Sequence, residues 1–563
     1  MLNKYFRPIF ILTLCAILNA SALERLSLLP PDSQMHMRIS NTAEFFSQLK
    51  EAPVGKMWTD PQFQDFAGNP TEQTWIDLLY PEKSEAYKEI MLNQLKMLQG
   101  ELIVDLNINT NDLYIIATMT DEDYRRSLEQ DKKLKELEDN PFETVNDKFQ
   151  GVKLIRYVYN GGTEEEKSSW QAHLANTLLV GPNREWIERS IIQLKKESPE
   201  EPEGSPSINA RMQVTGLVQK WIESMDKQSQ PAQNASNNKA IFEALGLLEV
   251  ESITFSFCLE ETESVADSTF QISNLDRGLF RLLDTQASTL PTVTFIPETF
   301  SAIEVGRVNL LGLWRELPNI ITSISPAGKM QFDMIAGMIQ QQTQIDIDQD
   351  LLSNLDTQYL SFSETDPETK QQVSVMGMKL KDSTSFKTAL ETALSAPALQ
   401  PQVAALLEQE TFFEHTIYTI KSQQEGAAKE PAAFSVAADY LFYGPPEAIR
   451  RVIRTQAGSE VAHNNTFEHS PLVRGLRQHV PNNAFGYSAT DLKKQMEHLI
   501  KEITNPLAIE AFKKGLKKSD KKWSLPDVSK LPPTDHLASF FNASYQYFEK
   551  TDTGLHQRII TKY

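Results

Sequence analysis

Residues 297–317 read PETFSAIEVGRVNLLGLWREL, and their pattern decides how this chain is built. Ile303 to Val305 lie in an alternating, strand-like stretch, and from Leu310 onward Leu313, Trp314 and Leu317 recur at helical spacing. Asn309 stands at the helix start, where a side-chain oxygen can satisfy a free N–H. The same plan opens PDSQMHMRISNTAEFFSQL from Pro31, with a strand at Met35–Ile39, Thr42 at the helix start and Phe45, Phe46 and Leu49 on the helix face. It returns in PNNAFGYSATDLKKQMEHL from Pro481, with Phe485–Tyr487, then Thr490 or Asp491, then Leu492, Met496 and Leu499. A weaker fourth instance is INARMQVTGLVQKWIESM from Ile208, with a strand at Met212–Val214.

Each instance runs on into helical sequence and then a strand pair. These pairs are Leu102–Leu106 with Leu113–Met119, Ile253–Leu259 with Thr269–Ile272, Tyr359–Phe362 with Val373–Met378, and Ser544–Phe548 with Leu555–Ile560. Lys550 to Gly554 offers the turn of the last pair. The first and third copies share an extension: a capped helix (DEDYRRSLEQ, KDSTSFKTALETAL) and two strand-like stretches, Val152–Tyr159 with Ala175–Val180 and Thr416–Ile420 with Ser435–Tyr443. Both extensions close on a Gly-Pro turn into a helix. Gly181-Pro182 and Gly444-Pro445 stand about 263 residues apart, Pro31 and Pro297 about 266, and Ala210 and Ala484 about 274. The expectation is an α+β chain of β-α(α)-β-β modules with largely antiparallel sheets, a long-plus-short unit duplicated in tandem. The expected divisions are 1–22, 23–200, 201–290, 291–460 and 461–563, with the Pro-, Gly- and charge-rich Lys195–Ser207 as one linker.

The first division reads as an export signal. Lys4 and Arg7 precede the apolar run Pro8–Leu18, and Ala20-Ser21-Ala22 offers a small-x-small cleavage site. No later segment approaches 18 continuous apolar residues, so the expected location is the periplasm or the medium. After cleavage Cys258 is the one remaining thiol of the two cysteines, which excludes a disulfide scaffold and a four-thiolate metal cage. The alternating ITFSFCLE around it reads as an inert strand thiol.

The chain has 563 residues and a net charge of −20, which argues against nucleic acid as a partner. Its mature start LSLLPPDSQMHMRISNTAEFFSQLKEAPVGKMWTDPQFQDF, the interior IDIDQDLLSNLDTQYLSFSE and the closing LPPTDHLASFFNASYQYFEKTDTGLHQRII resemble those of large exported proteins of planctomycetes, verrucomicrobia and their relatives. These are grouped as a family of unknown function. The resemblance implies export and a repeated α+β build. That family has no assigned catalytic residues, and none are carried over.

Chemistry is sparse. Nucleophile-elbow, zincin, phosphate-loop and Cys-x-x-Cys patterns are absent from the sequence. His463, His469 and His479, with Glu468, read as scattered surface or capping residues rather than a metal set, and His498 could join them only through tertiary folding. Asp346, Asp348 and Asp350 alternate like a calcium loop, but Leu351 and Thr357 occupy the positions of its Gly and Glu, so Asp348 or Asp350 is expected to cap a helix. Lys513–Lys522 is a basic reversal with Phe512, Leu516 and Trp523 around it, expected to be a solvated helix end and loop. Phe45, Phe46, Trp186, Trp221, Trp314 and Phe386 are expected in the core. No catalytic, metal or cofactor-binding residue is assigned and no cofactor is expected. The reading is a non-catalytic exported or envelope-associated binding or scaffold protein for a peptide, lipid or glycan. The alternative is an extracytoplasmic hydrolase of a polymer or ester. An apolar groove on a sheet would favour the first reading, and converged polar residues in a cleft the second.

Overall fold

The computed structural model describes residues 23–67, 83–108, 110–137, 142–159, 168–196, 207–228, 235–291, 293, 295–296, 300–365, 372–421, 432–457, 470–504, 510 and 530–563. The signal segment, His463, Glu468, His469 and Lys513–Lys522 lie outside them.

Twenty strands are described. The first ten are β1 (Met35–Ile39), β2 (Leu102–Asn107), β3 (Asp112–Thr118), β4 (Phe142–Phe149), β5 (Val152–Tyr159), β6 (Ser168–Leu174), β7 (Thr177–Gly181), β8 (Ser207–Gln213), β9 (Val250–Leu259) and β10 (Glu263–Ile272). The second ten are β11 (Phe300–Arg307), β12 (Leu355–Thr365), β13 (Gln372–Leu380), β14 (Leu407–Phe412), β15 (His415–Ile420), β16 (Ala433–Ala437), β17 (Tyr440–Gly444), β18 (Gly486–Asp491), β19 (Ala543–Thr551) and β20 (Gly554–Lys562). All pair antiparallel in one continuous sheet. Its order is β4-β5-β6-β7-β3-β2-β1-β8-β9-β10-β20-β19-β18-β11-β12-β13-β17-β16-β15-β14. All nine pairings within β1–β10 recur ten strand numbers later within β11–β20, β1–β8 for example as β11–β18. The two sets meet at β10–β20, where Asp267 stands opposite Arg558.

The extensions hold more strands than expected. Val152–Tyr159 is joined by β4 and Thr416–Ile420 by β14, while Ser435–Tyr443 divides into β16 and β17. Division follows from two-residue turns with both residues left-handed: Ala175 and Asn176 at φ 50 and 55°, Ala438 and Asp439 at φ 49 and 59°. Such turns match the strand twist and close tight hairpins. Asn and Asp tolerate this region best, but Ala does not advertise it in the sequence.

The helices used below are α1 (Thr42–Glu51), α2 (Pro53–Thr59), α3 (Asp121–Lys135), α4 (Arg184–Lys196), α5 (Val214–Gln228), α6 (Ala235–Ala244), α7 (Leu310–Ile324), α8 (Pro326–Thr343), α9 (Ser383–Ser395), α10 (Pro446–Gln456), α11 (Pro471–His479) and α12 (Leu492–Ile503). Their starts are set by side-chain caps. Asn41 accepts from the Glu44 N–H, Asn309 from Gly312 and Asp491 from Lys494. Thr42, expected at the first of these caps, instead donates to the carbonyls of Leu98 and Gly100.

Alternation along the strands divides the core between two faces. On the first face, Trp186, Ile187 and Ile191 of α4 pack on Ile103, Ile116 and Leu179, while α10 and α11 cover Val305, Leu360 and Phe442. On the second face, Phe45 of α1 packs on Met37, Ile39 and Leu259, and Phe386 of α9 on Leu355 and Leu380. Each such side chain, fully buried, contributes roughly 1.5–3 kcal/mol. Phe45, Trp186 and Phe386 are buried as expected, but Phe46 and Trp221 face solvent and Trp314 is half-buried. The helical period placed these rings on apolar faces, but those faces are wider than the sheet contact. One buried ion cluster anchors the start of the described chain: Glu101 holds Arg25 through one oxygen and Arg38 through the other.

The β19–β20 turn fits only glycine at its end. Gly554 has φ 148°, and a Cβ there would lie 2.0 Å from the Phe270 carbonyl oxygen across the β10–β20 contact. Gly554→Ala is expected to cost about 2–4 kcal/mol, by straining a special backbone position and opening that contact. Urea unfolding of the two proteins measures it.

Candidate functional site

Strands β9, β10, β13 and β20 and three helices build an apolar groove on the second face. Its walls are α1 and α2 with Leu49 and Val54, and α12 with Leu492, Met496 and Leu499. Phe257 and Leu259 of β9 form the floor, with Thr561 of β20 and the adjoining Tyr563 at one end and Phe541 nearby. The cavity measures about 630 Å³, and among the described residues its lining holds no Asp, Glu, Lys or Arg. The geometry follows from local sequence: Leu492, Met496 and Leu499 repeat at helical spacing, and Phe257 and Leu259 alternate along one strand. Leu499 remains 49% exposed although it belongs to this apolar face.

Across the β10–β20 contact, the corresponding space is filled. Counting from the strand ends Gln213 and Asp491, Trp221 of α5 stands where Leu499 stands in α12, and it too is largely exposed, at 59%. There α6 lies against α5 and α7, with the Phe242 ring 5.3 Å from that of Trp221. The turn Gly278–Leu282 closes the same space: Leu279 donates to the Leu245 carbonyl and Asn309 to that of Leu282. At Gly278, φ 56°, a Cβ would lie 2.3 Å from Leu245 backbone, so the two pieces of chain are in close contact.

A second cleft, about 950 Å³, lies between α9, the helix Gln400–Leu406 and strands β14–β15. It is walled by Thr388, Glu391, Thr392, Gln409, Thr416 and Tyr418 among others. Its helical hydroxyls are already used, since Thr388 donates to the Thr384 carbonyl and Thr392 to that of Thr388. Burial, then Glu391, pushes the Tyr418 hydroxyl up. The larger cleft thus mixes polar side chains, among them Glu391, Gln400 and Gln409, with apolar ones, whereas the smaller groove offers continuous apolar area.

Titratable groups gather at the β10–β20 contact on the first face. The two ring nitrogens of His556 lie 2.9 Å from Asp267 Oδ1 and 3.0 Å from Glu549 Oε1. Arg558 Nε is 3.2 Å from the same Asp267 oxygen, and Asn483 donates to Glu549. Hydrogen bonding to Asp267 holds the imidazole pKa above its ordinary value despite burial, with Glu549 adding to the shift. Both nitrogens face carboxylates, so each is placed to donate to a neighbour rather than to take a proton from a nucleophile. The Cys258 thiol is pushed up by burial and by Glu260 and Asp267, which disfavours a reactive thiolate. Further along the first face, burial lowers His36 to about 4, with Arg211 adding to the shift, and burial raises Asp105 to about 6.

The remaining sequence candidates disperse. His479 lies beside the Tyr545 ring, and His498 is at the groove. Among the described residues no group of three His, Cys, Asp or Glu could hold a metal ion. In the aspartate run it is Asp346 that caps, accepting from Asp348 and Gln349, while Asp348 takes both ends of the Arg315 guanidinium at 2.7 Å. The cap expected at Asp348 or Asp350 falls one step earlier because Asp348 has an ion-pair partner on α7. None of the described helices is long and apolar enough to cross a membrane.

No family model matches the chain, and no curated protein does. Solved structures similar in part are crystal form I of TP0453, at 8% identity, covering 46% of this chain and 80% of that one with a TM-score of 0.24, and crystal form III of TP0453, at 7%, 48%, 90% and 0.25.

The His556 cluster carries a pH signature. A histidine whose pKa is higher folded than unfolded stabilises fully below about pH 6.5, and that contribution is lost as pH rises through the folded value. Thermal stability is therefore expected to decline on the alkaline side of pH 6.5, and His556→Gln to flatten that decline. An equal slope in both proteins would remove His556 as its source.

Proposed function

We propose that this chain is a non-catalytic, exported binding protein made by tandem duplication of a ten-strand unit, and that the groove between α1, α2 and α12 is its binding site. The recurrence of the strand pairings in the second half supports the duplication, together with the matched turns at Ala175-Asn176 and Ala438-Asp439. The export address and the resemblance to large exported proteins belong to the same proposal.

The observation that carries the binding reading is the lining of the groove: among the described residues Phe257, Leu259, Leu492, Met496 and Leu499 bound about 630 Å³ without an Asp, Glu, Lys or Arg, and Leu499 is left 49% exposed. Across the β10–β20 contact, the counterpart position is occupied by a ten-residue helix and a helical turn, presenting Phe242 and Leu245 among apolar neighbours. Of peptide, lipid and glycan ligands, the uncharged apolar lining disfavours a glycan, and the filled counterpart favours a short amphipathic peptide helix. The hydrolase alternative draws its best histidine from His556, whose nitrogens are both committed to carboxylates.

A fluorescent peptide with residues 235–249 of this chain, ASNNKAIFEALGLLE, reproduces the filled side and tests the open one. It is expected to bind saturably, and Leu499→Asp to weaken it at least about tenfold, because a carboxylate must then be desolvated or the peptide held away from the groove wall. Equal binding by Leu499→Asp and the unaltered chain would overturn the assignment.

A further inference from the structure

We infer that the helix entering this groove is α8 of a second copy of this chain, in a reciprocal dimer. The inference rests on the groove being a peptide site. Helix α8 lies on α7 by one flank, where the Trp314 and Phe332 rings are 5.2 Å apart. Its opposite flank shows Met330, Met334 and Met338 at successive i+4 positions, while Ile335 and Ile339 stand towards the Phe332 side. Met330 is 70% exposed and Met334 58%. At helical spacing the three methionines form an exposed apolar row, bordered by the exposed Gln331 and Gln341. The charges of α8, Lys329 and Asp333, are one turn apart and pair with each other.

The chemistry of this flank favours a protein partner. A helix that lies on a membrane carries a fringe of Lys and Arg along its polar side. Here α8 has one lysine, already paired, on a chain of net charge −20. Methionine side chains adapt to irregular apolar surfaces, which suits entry into a groove that contains Met496. Neither surface would bury an unpaired Asp, Glu, Lys or Arg against the other.

The partner is a second copy because the chain carries both halves of the contact. The α7–α8 pair and the groove lie on the second face, one on each side of the β10–β20 contact. A twofold axis between two copies then lays α8 of each over the groove of the other, and the assembly closes instead of growing. An 18-residue helix is roughly 27 Å long, so two such contacts bury on the order of 1,600 Å², the area of a stable interface.

Sedimentation velocity of the full chain from about 1 to 100 μM is expected to show a dimer. Met334→Asp with Met338→Asp, on one exposed helix face, and Leu499→Asp, in the groove, are each expected to weaken it at least tenfold. Mixing the two variants is expected to restore a heterodimer, since one α8 and one groove remain intact in that pair. Circular dichroism checks that both variants are folded. A monomer at 100 μM, a dimer unaffected by the α8 variant, or a mixture that stays monomeric overturns the proposal. Binding of phosphatidylcholine vesicles that the α8 variant abolishes, with the dimer unchanged, also overturns it in favour of a lipid surface. The labelled peptide separates the two readings: if it binds the groove while the chain stays monomeric, the groove stands and only the second-copy assignment falls.

Discussion

The antiparallel contact between β10 and β20 is the constraint on which the rest of this structure depends. It joins two ten-strand sets into one sheet through nine residue pairs, from Glu263 opposite Lys562 to Gln271 opposite Gly554. Without it each set would expose a long unpaired edge, the arrangement most prone to unwanted association. With it, the only edges left in the described sheet are β4 and β14. Their sequences FETVNDKF and LEQETF place charges along the exposed backbone.

Joining the sets in this way determines where helices can sit. The helices that follow β1 and β18 share one side of the contact, and those that follow β8 and β11 share the other. Each helical cluster therefore draws elements from both halves of the sequence. On one side α6 and the turn Gly278–Leu282 complete the cluster. On the other side the corresponding volume remains a groove lined by side chains that sequence alone assigns to helix and strand interiors.

Much of this fold is legible in the residues. The four strand-helix starts, the four following strand pairs and the Asn309 and Asp491 caps all follow from periodicity and cap chemistry, which are local. The turn at Ala438-Asp439 was hidden because alanine rarely takes a left-handed conformation, so β16 and β17 read as one strand. Strand β14 was hidden because LEQETF is polar on an exposed edge, where no apolar alternation is required. Trp221 and Leu499 read as core because the helical period reports which face is apolar, not what covers it. The His556 cluster was invisible for another reason: Asp267 and His556 lie 289 residues apart. Nothing in their local surroundings sets either apart.

By itself the sequence determined the kind of elements, their repeating order and the scarcity of catalytic motifs, because each of these depends on interactions within a few residues. Only the tertiary structure decided that all twenty described strands form one sheet, that β10 meets β20, and that α6 packs against both α5 and α7. Those outcomes depend on contacts between segments far apart in the sequence, where strand register and the volume of whole helices govern the result.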